Sequence, residues 1–261
     1  MEIRKGELFT RVDRWIEGAV WFFYLKVYDQ ILLRLIPRQE MLQKVLNKLE
    51  VRRGYKYLDA GCGSGYFSSF MQSNGGVVTG IDSSYSLIER AKKTYPAVNF
   101  IYGDLEKRLT FLRDEEFNGV VSINSIYLIR SFGQLNSHKI PLPLLEFARL
   151  LKVGGVLIIA TPKYPGFSMG SILSDHLKKS FVKHGVFRTL LEFIIYFPQV
   201  IIVVLANLYI KKKGKIGYYY FYREKELKDY LEMCGFEDIE LGTCYSNQNI
   251  MVVAKKYAKK C

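Results

Sequence analysis

The run LDAGCGSGYF, Leu58 to Phe67, constrains this chain more than any other stretch. An apolar strand ends near an acid, Asp59, and passes into a loop with glycine at 61, 63 and 65. Glycines so placed let the backbone turn with positive φ and let a ligand approach main-chain atoms that a Cβ would shield. The pattern predicts a helix from about Tyr66 to Ser73, whose free N–H groups and positive dipole end face the loop. Together these features read as a nucleoside-binding loop. A dinucleotide fingerprint needs its third glycine one residue later, and a P-loop closes with Lys-Ser or Lys-Thr. Tyr66 stands at the first position and no such pair follows, which disfavours both.

Further elements follow in order. A short apolar strand, Gly76 to Ile81, ends in Asp82, roughly twenty residues after the loop, where a carboxylate suits a ribose diol. A third strand, Val98 to Tyr102, ends in Gly103-Asp104, and a fourth runs from Gly119 to Asn124. Leu150 to Pro162 reads as a helix end, a Gly-Gly turn and a buried strand from Gly155 to Ala160. Asp238 to Cys244 and Asn249 to Ala254 read as a closing hairpin, with helices expected at Glu40 to Leu49 and Glu224 to Cys234.

In this order the segments resemble the class I methyltransferases that use S-adenosylmethionine, whose loop has the form hh(D)xGxGxG. The likeness covers roughly residues 57–162 and 222–256. It implies an α/β fold with a Rossmann-like, doubly wound seven-stranded sheet, mostly parallel, with a C-terminal antiparallel hairpin. It also implies S-adenosylmethionine as cofactor, with contacts at Asp59, Gly61, Gly63, Gly65, Asp82, Ser83, Asp104, Leu105 and Asn124. In that family the acid matching Asp104 reaches the adenine amino group.

The net charge of +13 is unevenly spread. Residues 1–57 carry +5, 58–162 carry +1, 163–215 carry +7 and 216–261 carry none. The excess therefore falls on an N-terminal helical lid, 1–56, and on an insert, 163–221. The cofactor core, 57–162, and the closing segment, 222–261, are close to neutral. A basic lid implies an anionic surface or substrate. Cys62, Cys234, Cys244 and Cys261 form no C-x-x-C pair, so neither a metal site nor a disulfide framework is expected. The first residues, MEIRKGELFTRVDRW, lack the apolar core of a secretory leader, and a cytoplasmic protein is expected.

Leu190 to Ile210 is mostly apolar and bracketed by Lys178, Lys179, Lys183 and Arg188 before it and Lys211, Lys212, Lys213 and Lys215 after it. Its length could span a bilayer. A single crossing would, however, put strands of one sheet on opposite sides of the membrane. Two readings remain: helices broken near Pro198 that lie in one leaflet, or an apolar cap or dimer surface. Trp15, Trp21, Phe22, Phe23, Tyr24 and Tyr28 interleave with basic residues in a manner that suits a headgroup layer. Peripheral or monotopic attachment to an anionic membrane is the expectation.

Methyl transfer from a sulfonium needs position, desolvation and, for a protonated nucleophile, a base. Candidates are Tyr127, His138, His176, His184 and Tyr222. Asn124 is followed by Ser-Ile-Tyr rather than by Pro-Pro and an aromatic residue, which counts against exocyclic base methylation and nucleic-acid substrates. The hydrophobic insert and the Tyr28-Asp29 pair are similar in outline to phospholipid N-methyltransferases and quinone ring methyltransferases, which implies a lipid-like small-molecule acceptor. The alternatives are a soluble metabolite or natural-product methyltransferase and a non-catalytic membrane scaffold.

Overall fold

The computed structural model describes residues 30–129 and 140–257, together with Val20, Phe23, Tyr24 and Val27. His138, Tyr28-Asp29 and both tryptophans lie outside the described residues.

The apolar runs pair into one seven-stranded sheet. Strands β1 (Lys56–Ala60), β2 (Val77–Asp82), β3 (Asn99–Tyr102), β4 (Phe117–Ile123) and β5 (Leu151–Pro162) are parallel. Strand β7 (Asn249–Lys256) runs antiparallel between β5 and β6 (Phe236–Cys244). The order is β3-β2-β1-β4-β5-β7-β6, a doubly wound, mostly parallel sheet with a C-terminal antiparallel hairpin, as the resemblance implied. The chain starts in mid-sheet, winds to one edge and returns through β4. A ligand crevice opens at such a reversal, at the carboxyl ends of β1 and β4.

Helices cover both faces, which is why the inner strands read as continuous apolar runs. On one face Tyr57, Val121 and Ile158 share a buried cluster with residues of α1 (Ile36–Leu49), α2 (Tyr66–Ser73) and α3 (Tyr85–Thr94). On the other, Leu58, Val120 and Leu157 cluster with Phe147 of α4 (Leu142–Leu150) and Leu231 of α7 (Glu224–Met233). Helix α1 begins earlier than its apolar pattern suggests, because Pro37 supplies a preset φ in the first turn where its missing N–H costs nothing. The expected Gly-Gly turn is a bulge within β5: Phe117 pairs with Leu151 but Gly119 with Val156, and Gly154 takes φ +77 to absorb the excess.

The insert folds as α5 (Met169–His184) and α6 (Val186–Lys215), joined at Gly185. The expected break at Pro198 is corrected by the structure, in which α6 runs unbroken through that proline. Pro198 and Ile194, whose carbonyl loses its partner, both lie on the exposed side of the helix. There a lost hydrogen bond and a slight outward bend are tolerated. Ile172, Val203, Ala206 and Ile210 join the same buried cluster as Met71 and Phe100, so the insert packs on the core face rather than forming a core of its own. Strands β5 and β7 pair along Val156 to Pro162 although α6 lies between them in sequence, which rules out a single membrane crossing by α6.

Candidate active site

The glycine loop is stitched to the end of β2. The Gly61 and Cys62 N–H groups donate to the Ile81 carbonyl at 2.8 and 2.9 Å, which brings Asp82 against the loop. Gly63 N–H donates to Asp82 Oδ2 at 2.9 Å and Ser84 N–H to Oδ1 at 2.8 Å. A carboxylate offers about four acceptor positions, so capacity remains for a ligand hydroxyl. Burial nonetheless raises the Asp82 pKa, the backbone donors opposing it. The cap of α3 is Ser84, which accepts from Leu87 N–H, so Asp82 is not engaged as a helix cap.

The three glycines do different work. Gly63, at φ +56, lines the cavity, and a Cβ there would meet nothing within 4 Å. Gly61 is pressed against Ser125, whose Oγ would sit 1.9 Å from an added Cβ. Gly65, at φ +80, is the cap of α2 and faces inward: its Cβ would lie 2.4 Å from the Phe100 ring and 3.0 Å from Ala91 Cβ. The sequence suggested cofactor contact at all three, yet Gly65 stands behind the cavity wall and sets how closely α2 approaches the sheet.

A cavity of about 630 Å³ opens at the carboxyl ends of β1, β2 and β4. Asp59, Gly61, Gly63, Asp82, Ser83, Asp104, Leu105 and Asn124 all line it. Asp59 is buried and accepts from Ser68 Oγ at 2.6 Å. Burial pushes its pKa up to about 7, while Ser68 and Arg38 oppose the rise. Asp104 Oδ1 accepts from Glu106 N–H at 2.9 Å, which fixes the turn after β3. Asn124 takes φ +53, its N–H donates to the Ala160 carbonyl at 2.7 Å, and its Oδ1 accepts from Asn249 Nδ2 at 2.7 Å.

Of the proton-transfer candidates within the described residues, Tyr127 alone lines the cavity. It stands in the 3-10 turn Ile126–Leu128, stacked on Phe221 at 5.5 Å and edge-on to Phe167 at 6.2 Å. His176 is not among the cavity's lining residues: its Nδ1 accepts from Ile36 N–H at 3.3 Å, tying α5 to the start of α1, and burial lowers its pKa. His184 ends α5 away from the cavity. Tyr222 is buried in the opposite core cluster beside Tyr220, where burial pushes its pKa far up. The Cys62 thiol lines the cavity, but burial pushes its pKa well up, which keeps it neutral.

The sequence reading missed the remaining walls. Arg38 is buried on α1 and lines the cavity beside Asp59. This cation and acid complement the carboxylate and ammonium of an α-amino acid, while Asp82 and the open Gly63 backbone suit a nucleoside. The residues present therefore fit a nucleoside that carries an amino-acid tail. The signal for Arg38 was its place in the apolar stripe 38, 41, 42, 45, 46 and 49 of α1, all buried. Beyond it lie Tyr24, Leu32, Leu42, Phe167, Met169, Tyr219 and Tyr245, with Asn207 contributed by α6. Among the described residues no cluster of three or more His, Cys, Asp or Glu could hold a metal.

Residues 58–159 match the family model described as a methyltransferase domain. A malonyl-(acyl-carrier protein) O-methyltransferase of Hamiltonella defensa is 32% identical over 115 residues, 44% of this chain and 39% of that protein. A demethylmenaquinone methyltransferase of Chlorobaculum tepidum is 34% identical over 124 residues, 47% of each chain. The chain thus spans less than half the length of these curated relatives. An S-adenosylmethionine-dependent methyltransferase from Thermotoga maritima superposes with a TM-score of 0.54 at 17% identity, covering 91% of this chain and 99% of that one, a likeness of fold.

Proposed function

We propose that this chain, whose core is a class I S-adenosylmethionine-dependent methyltransferase domain, transfers a methyl group to an apolar, lipid-like small molecule met at a membrane surface. The observation that carries this reading is the mixed lining of the cavity, which combines acids at the ends of β1 and β2 and just after β3 with a set of aromatic and aliphatic side chains. We assign the acids to the cofactor and the apolar set to an acceptor half.

Bound S-adenosylmethionine supplies a methyl on a sulfonium that is already activated toward in-line attack. The chain's own groups do the rest. Asp82 would hold the ribose hydroxyls, Arg38 and Asp59 the two charges of the amino-acid tail, and Asp104 the adenine edge. Tyr24, Tyr127, Phe167 and Tyr245 exclude water from the acceptor, which sharpens every remaining electrostatic contact. Apart from Asp59, Asp82, Asp104 and Glu106, the described lining residues include no His, Lys or carboxylate. Proton removal would fall to a tyrosine hydroxyl, with Tyr127 nearest the end of β4, or the acceptor presents a lone pair without losing a proton first. Residues 163–221 act in this reading as the cap over the acceptor half.

The test is incubation with methyl-labelled cofactor and, in parallel, a total lipid extract, a water-soluble metabolite fraction and RNA. Label in the organic phase is expected. Label confined to metabolites or to RNA would replace the lipid reading, and failure to bind the cofactor would leave a scaffold.

A further inference from the structure

Helix α6 carries its apolar residues on the wrong side for a soluble protein. At 100° per residue, Phe187, Leu191, Ile194, Ile201, Leu205 and Leu208 fall within about 60° of one line along the helix. All are exposed, Phe187 by 84%, Ile194 by 70% and Leu205 by 60%. Only 22% of its most apolar stretch is buried. The row runs about 30 Å at 1.5 Å per residue. Glu192, the sole acid of α6, lies on the far side of the helix. Contiguous exposed apolar surface on this scale marks a contact with something else.

The ends of the row say what that is. Lys183 and Arg188 stand at one end, Lys212 and Lys215 at the other, all exposed, with Arg188 also paired to Glu192 at 3.1 Å. Packing a second copy on this face, parallel or antiparallel, would bring basic ends together with no acidic cluster on α6 to answer them. An anionic lipid surface answers both ends at once, and an in-plane helix of this kind buries its apolar face roughly 5–10 Å into the headgroup boundary. Lys213, though basic in the sequence, belongs elsewhere: it is buried, with Nζ 5.4 Å from the Tyr209 ring and 5.3 Å from the Tyr218 ring.

The opposite side of the same helix packs on the core through Val203, Ala206 and Ile210, and between them Asn207 lines the cavity. Asn207 Nδ2 donates one N–H to the Val203 carbonyl at 2.8 Å, and its Oδ1 and second N–H are what it can offer an acceptor. We propose that α6 lies in the plane of one leaflet of an anionic membrane by its outer face while its inner face walls the acceptor chamber, so that docking delivers the acceptor to the catalytic cavity from that leaflet. The docking surface stands independently of the acceptor; the delivery step rests on the lipid-like acceptor proposed above.

The experiment compares the full chain with Ile194→Glu/Leu205→Glu and with Lys211→Gln/Lys212→Gln/Lys215→Gln. Co-sedimentation uses phosphatidylcholine vesicles with and without phosphatidylserine, at low and high salt. Wild type should bind the anionic vesicles and release in salt. The lysine variant should bind about a hundredfold more weakly, each cation near such a surface counting for roughly fivefold, and the glutamate variant should not bind. All changed positions are partly or fully exposed, so unaltered thermal melts would certify the fold. Absence of wild-type binding, or equal binding by the glutamate variant, overturns docking. A wild-type dimer that the glutamate variant splits, with no vesicle binding, would assign the face to a second copy instead. Turnover separates the two claims: with acceptor in vesicles the glutamate variant should lose activity that it keeps on detergent-dispersed acceptor. Loss on both, or on neither, overturns delivery, whereas docking without turnover on any lipid overturns the acceptor reading and delivery with it, and leaves docking standing.

Discussion

Two glycines of one loop should fail in opposite ways when each is changed to alanine. At Gly65 the added methyl meets the Phe100 ring at 2.4 and 2.7 Å and Ala91 Cβ at 3.0 Å, in a backbone at φ +80. The left-handed conformation costs an alanine roughly 1–2 kcal/mol. Forcing a methyl into a filled site costs roughly 1–3 kcal/mol more, and Phe100 is buried with little freedom to retreat. The sum, about 2–5 kcal/mol, lowers the melting temperature by roughly 4–20 °C for a domain of this size. At Gly63 nothing lies within 4 Å of the added methyl, so only the backbone term applies and the melt should fall by a few degrees. Its methyl would instead occupy ligand space, at a cost in cofactor affinity of about 1–3 kcal/mol, or roughly five- to 150-fold. Differential scanning fluorimetry and calorimetric titration on both variants read the two effects separately. A Gly65→Ala protein that melts within about 2 °C of wild type, or a Gly63→Ala protein that binds cofactor normally, would refute the assignment of one glycine to packing and the other to the ligand.

Asp59 gives a pH signature. With its pKa raised from 3.8 to about 7, the folded state binds a proton that the unfolded state has released between about pH 4 and 7, so stability falls as pH rises through that window. The full effect is at most about 4 kcal/mol at 1.36 kcal/mol per unit, and Asp59→Asn should flatten that slope in melts from pH 4 to 8; an unchanged slope would place the titration elsewhere. His176→Ala should lower stability by about 1 kcal/mol, the worth of one hydrogen bond, and leave kcat unchanged; a collapse of kcat in a folded variant would restore it as a catalytic group. Asp104→Ala should weaken cofactor binding less than Asp82→Ala, and calorimetry giving the reverse order would exchange their roles.

The sheet architecture and the acids and glycines that line the cavity were legible because both are local. A glycine loop, an acid at each strand end and the apolar runs between them are contiguous in the chain. Helix α2 was bounded correctly from Tyr66 to Ser73 by the loop before it and the Asn74-Gly75 turn after it. The rest of the cavity lining was not legible, because Tyr24, Arg38, Phe167, Asn207 and Tyr245 come from five separate segments that only the tertiary fold brings together. The setting of His176 was hidden for the same reason. Nothing near His176 in sequence announces that its acceptor nitrogen is taken by the start of α1. Pro198 misled because breaking power depends on which side of the helix the proline occupies, and that follows from packing. A polar residue inside an apolar helical stripe was the usable hint in two places, Arg38 on α1 and Asn207 on α6.

The central claim is that the crevice at the ends of β1, β2 and β4 takes S-adenosylmethionine through Asp82. Calorimetric titration of S-adenosylmethionine into wild type and into Asp82→Ala tests it most directly. One site per chain is expected in wild type, weakened in the variant by roughly 1.5–3 kcal/mol, the scale of hydrogen bonds to a charged group. No heat of binding to folded wild-type protein, or equal affinity in the two proteins, would contradict it.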